Sequence, residues 1–337
     1  MLRGLHNFHW TRAEHSIALE IGDECLNLAK NHKEGAAEVL AHRLIGQAKF
    51  MLGELNAGRK HLQRAIAQYD SRLHGDSSLE YGADSKLVAR VLLSQLLWVV
   101  GYPDRACGEA DETLSDAKSQ KGKYDLVHTE WQRLFTQFLR RDYHAVLENA
   151  KSVSASAREH GVDPFALSAE ALNCWARLAD SKRGENIRPF AESIKARRAT
   201  GAMIRVPILL GSLAECLAAN ARVKEALATI AEALELTDER WSEAELHRLK
   251  GEILLRLDDL DTAKNAEASF RASLDIAQKQ GAKSWELRAA TSLARLWRDQ
   301  GRRTEGHDLL APVYGWFTEG FDTADLKDAK ALLDELA

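Results

Sequence analysis

Few residues of this 337-residue chain stand at spacings that support chemistry. His6 and His9 come nearest to a metal-ligand pair, but no third ligand accompanies them, and two partly exposed helix residues is the simpler reading. The acidic run Asp258, Asp259, Asp261 lacks the central glycine and closing glutamate of a calcium loop and reads as a solvated turn. Gly122-Lys123 lacks the upstream glycine that a phosphate loop needs to turn its amides inward. No G-x-G-x-x-G, G-x-S-x-G or H-E-x-x-H motif occurs. The convergent titratable residues are Glu245, His247, Arg248 and Glu252, and at 3.6 residues per turn His247 projects from a different face than the other three. The expectation is a protein that is not an enzyme, with no cofactor and no metal.

Composition narrows the remaining classes. With 45% hydrophobic and 28% charged residues and a formal net charge of −4, the chain has the make-up of a folded protein and no global pull towards nucleic acid or anionic lipid. Cys25, Cys107, Cys174 and Cys216 lie far apart with no C-x-x-C pair, which argues against a disulfide framework or zinc site and leads us to expect a cytoplasmic location. The opening MLRGLHNFHWTRAEH has no basic segment followed by an apolar run, so it is not a secretory signal. The longest uncharged apolar stretch, Val91 to Tyr102, is too short for the roughly 20 residues a membrane span needs. The length allows two or three domains or one elongated array.

The elements that must position any site are helices, and they repeat. Nearly every stretch has the amphipathic period of a helix of 12 to 20 residues, and none alternates with period 2. Two kinds of turn alternate. One kind centres on Gly53, Gly101, Arg141, Asp258 and Gly301; the other falls at 31–35, 120–124, 159–164, 199–203, 237–241 and 279–283. Small residues recur at spacings of 7, 5 and 7, as in Gly46, Gly53, Gly58, Ala65 and again in Ala294, Gly301, Gly306, Val313. This is the register of tetratricopeptide-type helix hairpins, whose small residues fall where the two helices of a hairpin touch. Here the period is near 40 residues.

The expectation is an all-α, right-handed α-solenoid forming one domain over 1–337. It has about eight helix-turn-helix units, at 1–31, 33–70, 85–120, 124–160, 164–200, 203–237, 240–280 and 283–316, and a capping helix at 323–336. Three irregularities stand out. The linker at 70–84 is long enough to fold over the groove, Pro189 must start or kink its helix, and an extended turn is expected at 258–264.

A solenoid of this kind works through a concave face lined by its first helices. Projecting the register places Trp98, then Trp131, Phe135 and Phe138, then Trp175 along the middle of that face. Glu245, Arg248 and Glu252, followed by Arg288, Arg295 and Arg298, line its far end. These residues fit a groove holding a peptide or helix by aromatic anchors and salt bridges. The competing reading is that the tryptophans pack between neighbouring repeats and that Glu245 pairs with Arg248 inside the groove.

Two segments, ERWSEAELHRLKGEILLRL at 239–257 and SLARLWRDQGRRTEGHDLLAPVYGWFTEGFDTADLKDAKALLDEL at 292–336, carry a more specific likeness. The chain resembles the C-terminal tetratricopeptide-type region of bacterial proteins in which a class III adenylate or guanylate cyclase-like module is fused to a STAND/AAA-type predicted ATPase. LRGLHNFHWTRAEHSIAL and YGADSKLVARVLLSQLLWVVGYPDRA are similar to earlier parts of that region, although Ser85 stands where the pattern has proline. The resemblance implies a regulatory or partner-binding arm for signal transduction and supplies no nucleotide-binding residue, because the catalytic modules lie outside this chain.

The expected function is therefore a non-catalytic protein- or peptide-binding scaffold, with an upstream ATPase or cyclase module among its partners and no nucleic acid or membrane. Leu2, Leu5, Phe8 and Trp10 give the first helix an apolar face, which suggests self-association or docking through the first repeat, or a chain that is part of a longer one. The alternative is a sensor of a small molecule, a sugar or metabolite, similar to the helical superhelix of the maltose-regulon activator and serving a transcriptional or signalling regulator.

Overall fold

The computed structural model describes residues 1–70, 83–120, 122–180, 187–236, 238–257 and 261–337. Among these the chain is helical throughout, with no strand. The first eight helices are α1 (Leu2–Thr11), α2 (His15–His32), α3 (Gly35–Met51), α4 (Leu55–Gln68), α5 (Ser85–Val99), α6 (Pro103–Ser119), α7 (Lys123–Leu139) and α8 (Tyr143–Glu159). There follow α9 (Asp163–Asp180), α10 (Arg188–Ala199), α11 (Val206–Ala219), α12 (Val223–Glu235), α13 (Glu243–Leu254), α14 (Thr262–Gln280), α15 (Lys283–Asp299), α16 (Arg303–Gly315) and α17 (Ala324–Leu336). Consecutive helices pack on each other, and α3, α5, α7, α9, α11, α13 and α15 also form a contiguous inner row, as in a helical solenoid.

Local sequence explains the two layers. Outer helices bury a single stripe: in α12 it is Ala226, Ile230 and Ala233, at the i, i+4, i+7 spacing of one helix face. Inner helices are covered on all sides. In α5, LVARVLLSQLLWV is apolar nearly all round and buried from Leu87 to Val99. Its start is fixed by Asp84, whose carboxylate accepts the Lys86 and Leu87 amides at 2.8 and 3.0 Å and the Tyr69 hydroxyl at 2.6 Å. Small residues sit where hairpin helices meet. A Cβ on Gly58 would lie 3.0 Å from both the Gly46 carbonyl oxygen and the Phe50 amide nitrogen, and α3 and α4 cross at that point.

The turns are chemically repetitive. Gly53, Gly101, Arg141, Ala221 and Gly301 all adopt left-handed φ. The residue after each donates its amide five residues back, as Glu54 does to Lys49, Tyr102 to Leu97, Asp142 to Gln137, Arg222 to Leu217 and Arg302 to Trp297. This bond caps orphan carbonyls at a helix C-terminus. Helix α10 starts at Arg188, with the Pro189 ring in its first turn where no amide is needed. The long linker falls mostly outside the described residues, as does the start of the turn at 258–264.

The later half of the array packs back on the earlier half. The C-terminal carbonyls of α1, α3, α5 and α7 each accept from a distant residue: Thr11 from the Met203 amide at 2.8 Å, Met51 from the Arg240 amide at 2.7 Å, Trp98 from the Ser284 hydroxyl and Leu139 from the Arg288 guanidinium at 2.8 Å. Asp238 caps α2 by accepting the His15 and Ser16 amides at 3.0 and 2.8 Å. Glu319 does the same for α6 at Asp104 and Arg105. Orphan groups at helix ends are thereby satisfied across the array as well as within it.

Candidate functional site

The curl decides what the inner row presents. Trp98, Phe135, Phe138 and Trp175 are buried in one apolar cluster with Trp241 and Trp285 from the later half. Trp98 packs edge-on against Trp285 with centroids 4.7 Å apart, Phe135 lies 6.2 Å from Trp241, and Phe138 packs edge-on against Trp175 at 4.7 Å. These four side chains form the core of the curled array and do not line an open peptide groove. They stand on α5, α7 and α9 of the inner row, and the register carries no information about what covers that face.

The charged end is also brought together and also closed. Glu245 is buried, accepts from Arg248 at 2.8 and 2.9 Å and lies 3.2 Å from Arg288 and 3.6 Å from Arg141. Arg288 in turn meets Asp325 at 2.8 Å and lies over both Trp98 and Trp285 at 5.0 Å. Glu252 pairs with Arg248 at 3.4 Å and accepts the Ser292 hydroxyl at 2.6 Å. The surrounding guanidinium groups outweigh the cost of burial and hold Glu245 down to about 2. Arg295 borders a shallow hollow next to Arg141 and Arg248, whereas Arg298 lies apart and pairs with Glu335 of α17. Of the expected far end, Glu245, Arg248, Glu252 and Arg288 form one ion network, and their charges are spent on one another.

A cavity of about 360 Å³ lies at the end of the aromatic core where α1 meets the connection between α10 and α11. Trp131 is the expected residue that borders it. Val88 and Leu92 of α5 and Trp10 of α1 give the cavity an apolar wall. Phe165 stacks on one side of Trp131 with ring centroids 4.6 Å apart, and the Arg205 guanidinium lies over the same ring at 4.7 Å. The indole Nε1–H of Trp131 is buried with no acceptor.

Polar residues converge on this cavity from four elements. Arg43 and Gln47, one turn apart on α3, are joined at 3.0 Å. On α7, Gln132 donates to His128 at 2.9 Å, and its carbonyl oxygen accepts from Gln95 at 2.6 Å and from Arg205 at 2.9 Å. Arg197 of α10 donates to the carbonyls of Pro164 at 2.6 Å and Ile204 at 2.9 Å. Arg205, in left-handed conformation at the start of α11, is held by its own amide donating to Glu239 at 2.8 Å. Burial pushes Arg43 and Arg197 down to about 10 and Arg205 to about 9, and burial with neighbouring Arg205 and Arg43 pushes His128 to about 3, so this imidazole is neutral at pH 7.

Arg43, Gln47, Arg197 and Arg205 were absent from the expected groove. Two of them were legible: Arg43 and Gln47 stand at the second hairpin's counterparts of Val91 and Gln95, so extending the same register one hairpin earlier finds them. Arg197 and Arg205 lie on an outer helix and a connection, for which the inner-face register has no positions. Among the described residues, no group of three or more His, Cys, Asp or Glu could hold a metal ion. Among the described residues no helix is long and apolar enough to cross a membrane. No protein-family model matches the chain, and no curated protein does.

Proposed function

We propose that this chain is a non-catalytic sensor domain of a signalling or transcriptional regulator, a right-handed solenoid of eight tetratricopeptide-like hairpins and a capping helix that holds a small molecule at its curl. The observation that carries this reading is the cavity beside Trp131. Its volume of about 360 Å³ lies within the roughly 300 to 1,000 Å³ usual for small-molecule sites, and it combines an apolar wall with a few convergent polar groups. An extended peptide would need the inner face, which the later half of the array covers. The resemblance to arms of cyclase- and ATPase-linked proteins agrees with a part that reports ligand binding to a catalytic module elsewhere.

The test is calorimetry with a panel of sugars and metabolites on the wild-type chain, on Val88→Phe, which fills the cavity, and on Trp131→Ala. Saturable binding by the wild type that both variants lose is the expected result. Binding that survives Val88→Phe unchanged would place the ligand elsewhere and defeat the reading.

A protein partner is favoured by a separate observation. Leu5 and Phe8, about one turn apart on α1, are 46% and 56% exposed. Docking or self-association there would use the outer surface of the first hairpin, and Phe8→Asp should then abolish any self-association seen by sedimentation while leaving ligand binding intact.

A further inference from the structure

Arg43, Arg197 and Arg205 border one cavity at 6%, 3% and 2% exposure, and no carboxylate stands among its described lining residues. Their bonds go to neutral acceptors, the amide oxygens of Gln47, Gln95 and Gln132 and the carbonyls of Pro164 and Ile204. The Nε–H of each of the three, like the indole N–H of Trp131, is buried and has no partner. All these groups donate only and cannot satisfy one another.

The same fold shows what a settled buried arginine cluster looks like. At the opposite end of the aromatic core Arg141, Arg248 and Arg288 are matched by Glu215, Glu245 and Asp325. Those carboxylates raise Arg141 and Arg248 above the ordinary guanidinium range, whereas the cavity arginines are lowered. The two clusters differ in the extent of their counter-charge: near the cavity, buried Glu239 accepts the Arg205 amide and acts on both Arg205 and Arg197 without restoring either to the ordinary guanidinium range. Buried cations that are only partly compensated are costly, and an arriving anion with several acceptor oxygens lowers that cost.

We propose that the cavity binds a small organic anion, its carboxylate or phosphate group held by Arg43 in the field of Arg197 and Arg205 and its remainder against Val88, Leu92 and Trp10. Arg43 is the direct contact because Arg197 and Arg205 already spend both terminal nitrogens on protein acceptors, whereas Arg43 spends one on Gln47. The inference rests on the sensor reading and narrows it from small molecules in general to oxyanions.

The test uses the full chain at constant ionic strength. The probes are glucose 6-phosphate, pyrophosphate, citrate and 2-oxoglutarate, with glucose as the neutral comparison, and the readouts are calorimetry and the thermal midpoint. At least one anion should bind saturably and raise the midpoint by about 2–4 °C. Arg43→Met should weaken that binding by about 10- to 100-fold, and Arg43→Lys should weaken it less, because it keeps the charge and loses the planar donor set. The unliganded midpoint of Arg43→Met should stay near that of the wild type, since no ion pair is broken; if that variant does not fold, Arg43→Lys carries the comparison. Binding by the phosphate probes alone or by the carboxylate probes alone identifies the head group. If glucose binds in a Val88→Phe-sensitive manner and the anions do not, the anion inference falls and the sensor reading stands. If nothing binds, both fall. Equal stabilisation of wild type and Arg43→Met by anions would be a general salt effect and would also overturn the proposal.

Discussion

Glu245 shows how much one buried side chain can hold in place here. Replacing it with glutamine leaves Arg248, Arg288 and Arg141 facing a neutral amide, and breaking a buried pair in this way costs about 3–5 kcal/mol. Urea unfolding of Glu245→Gln at pH 7 checks this, and a loss under about 1 kcal/mol would mean that the network is solvated. Histidines set a second dependence. Burial, with Arg43 and His15 nearby, pushes His6 to about 3, and His128 lies equally low. Both are charged more readily in the unfolded chain, so the unfolded state binds more protons below pH 6.5 and stability falls as pH drops from there towards 3. The slope is about 1.4 kcal/mol per pH unit for each such histidine. Glu245 adds a separate loss between pH 4.5 and 2, because its folded value is depressed. Unfolding of His6→Leu at pH 7, 6 and 5 should show a shallower decline than wild type; parallel declines would remove His6 from the account. The inward positions of Trp98 and Glu245 were readable at this scale, because a helix face follows from residue spacing. Whether an inward residue meets solvent, a ligand or another helix was not, because that depends on residues distant in sequence, Trp285 for Trp98 and Arg141 for Glu245.

At the scale of elements the sequence is far more explicit. Helix extents follow from amphipathic period, and Pro189 marks the start of α10 for the ordinary reason that its ring removes an amide. Turn positions were legible from glycine at Gly53, Gly101 and Gly301, and the fold puts Arg141 and Ala221 into the same left-handed conformation without that help. Two glycines separate the causes of the constraint. Gly301 has φ +79° and open space where a Cβ would stand, so Gly301→Ala should cost only the conformational penalty, about 1–2 kcal/mol. Gly101 has φ +95°, and its Cβ would lie 2.5 Å from the Trp316 ring. Gly101→Ala should therefore cost clearly more than Gly301→Ala in thermal melts; equal losses would mean that the Trp316 side chain simply moves aside.

For the whole molecule, repetition was visible in the sequence and curvature was not. A small change in the angle between neighbouring hairpins accumulates along the inner row, and no local pattern records the sum. The bonds that close the curl are spread over many residue types: an aspartate between α12 and α13 that caps α2, carbonyls on α1 and α3, a hydroxyl and a guanidinium from α15. Asp238→Ala removes two amide acceptors and a hydroxyl partner at the start of α2. It should raise hydrogen exchange at His15 and Ser16 and through α1 by about tenfold or more while leaving α5 and α7 protected; unchanged exchange in α1 and α2 would show that the cap does not hold the first hairpin. The curl also bears on how the chain reaches its native state. Repeat arrays fold by nearest-neighbour propagation, and nucleation can begin anywhere along them. Here Trp98 and Trp285 share one core although 186 residues separate the hydrogen-bonded Trp98 and Ser284, so the long-range loop must close before that core exists. Closing that loop adds a non-local step to an array otherwise held by contacts between neighbouring helices, and it joins the two halves, so that the end hairpins are not shed one at a time as in an open solenoid.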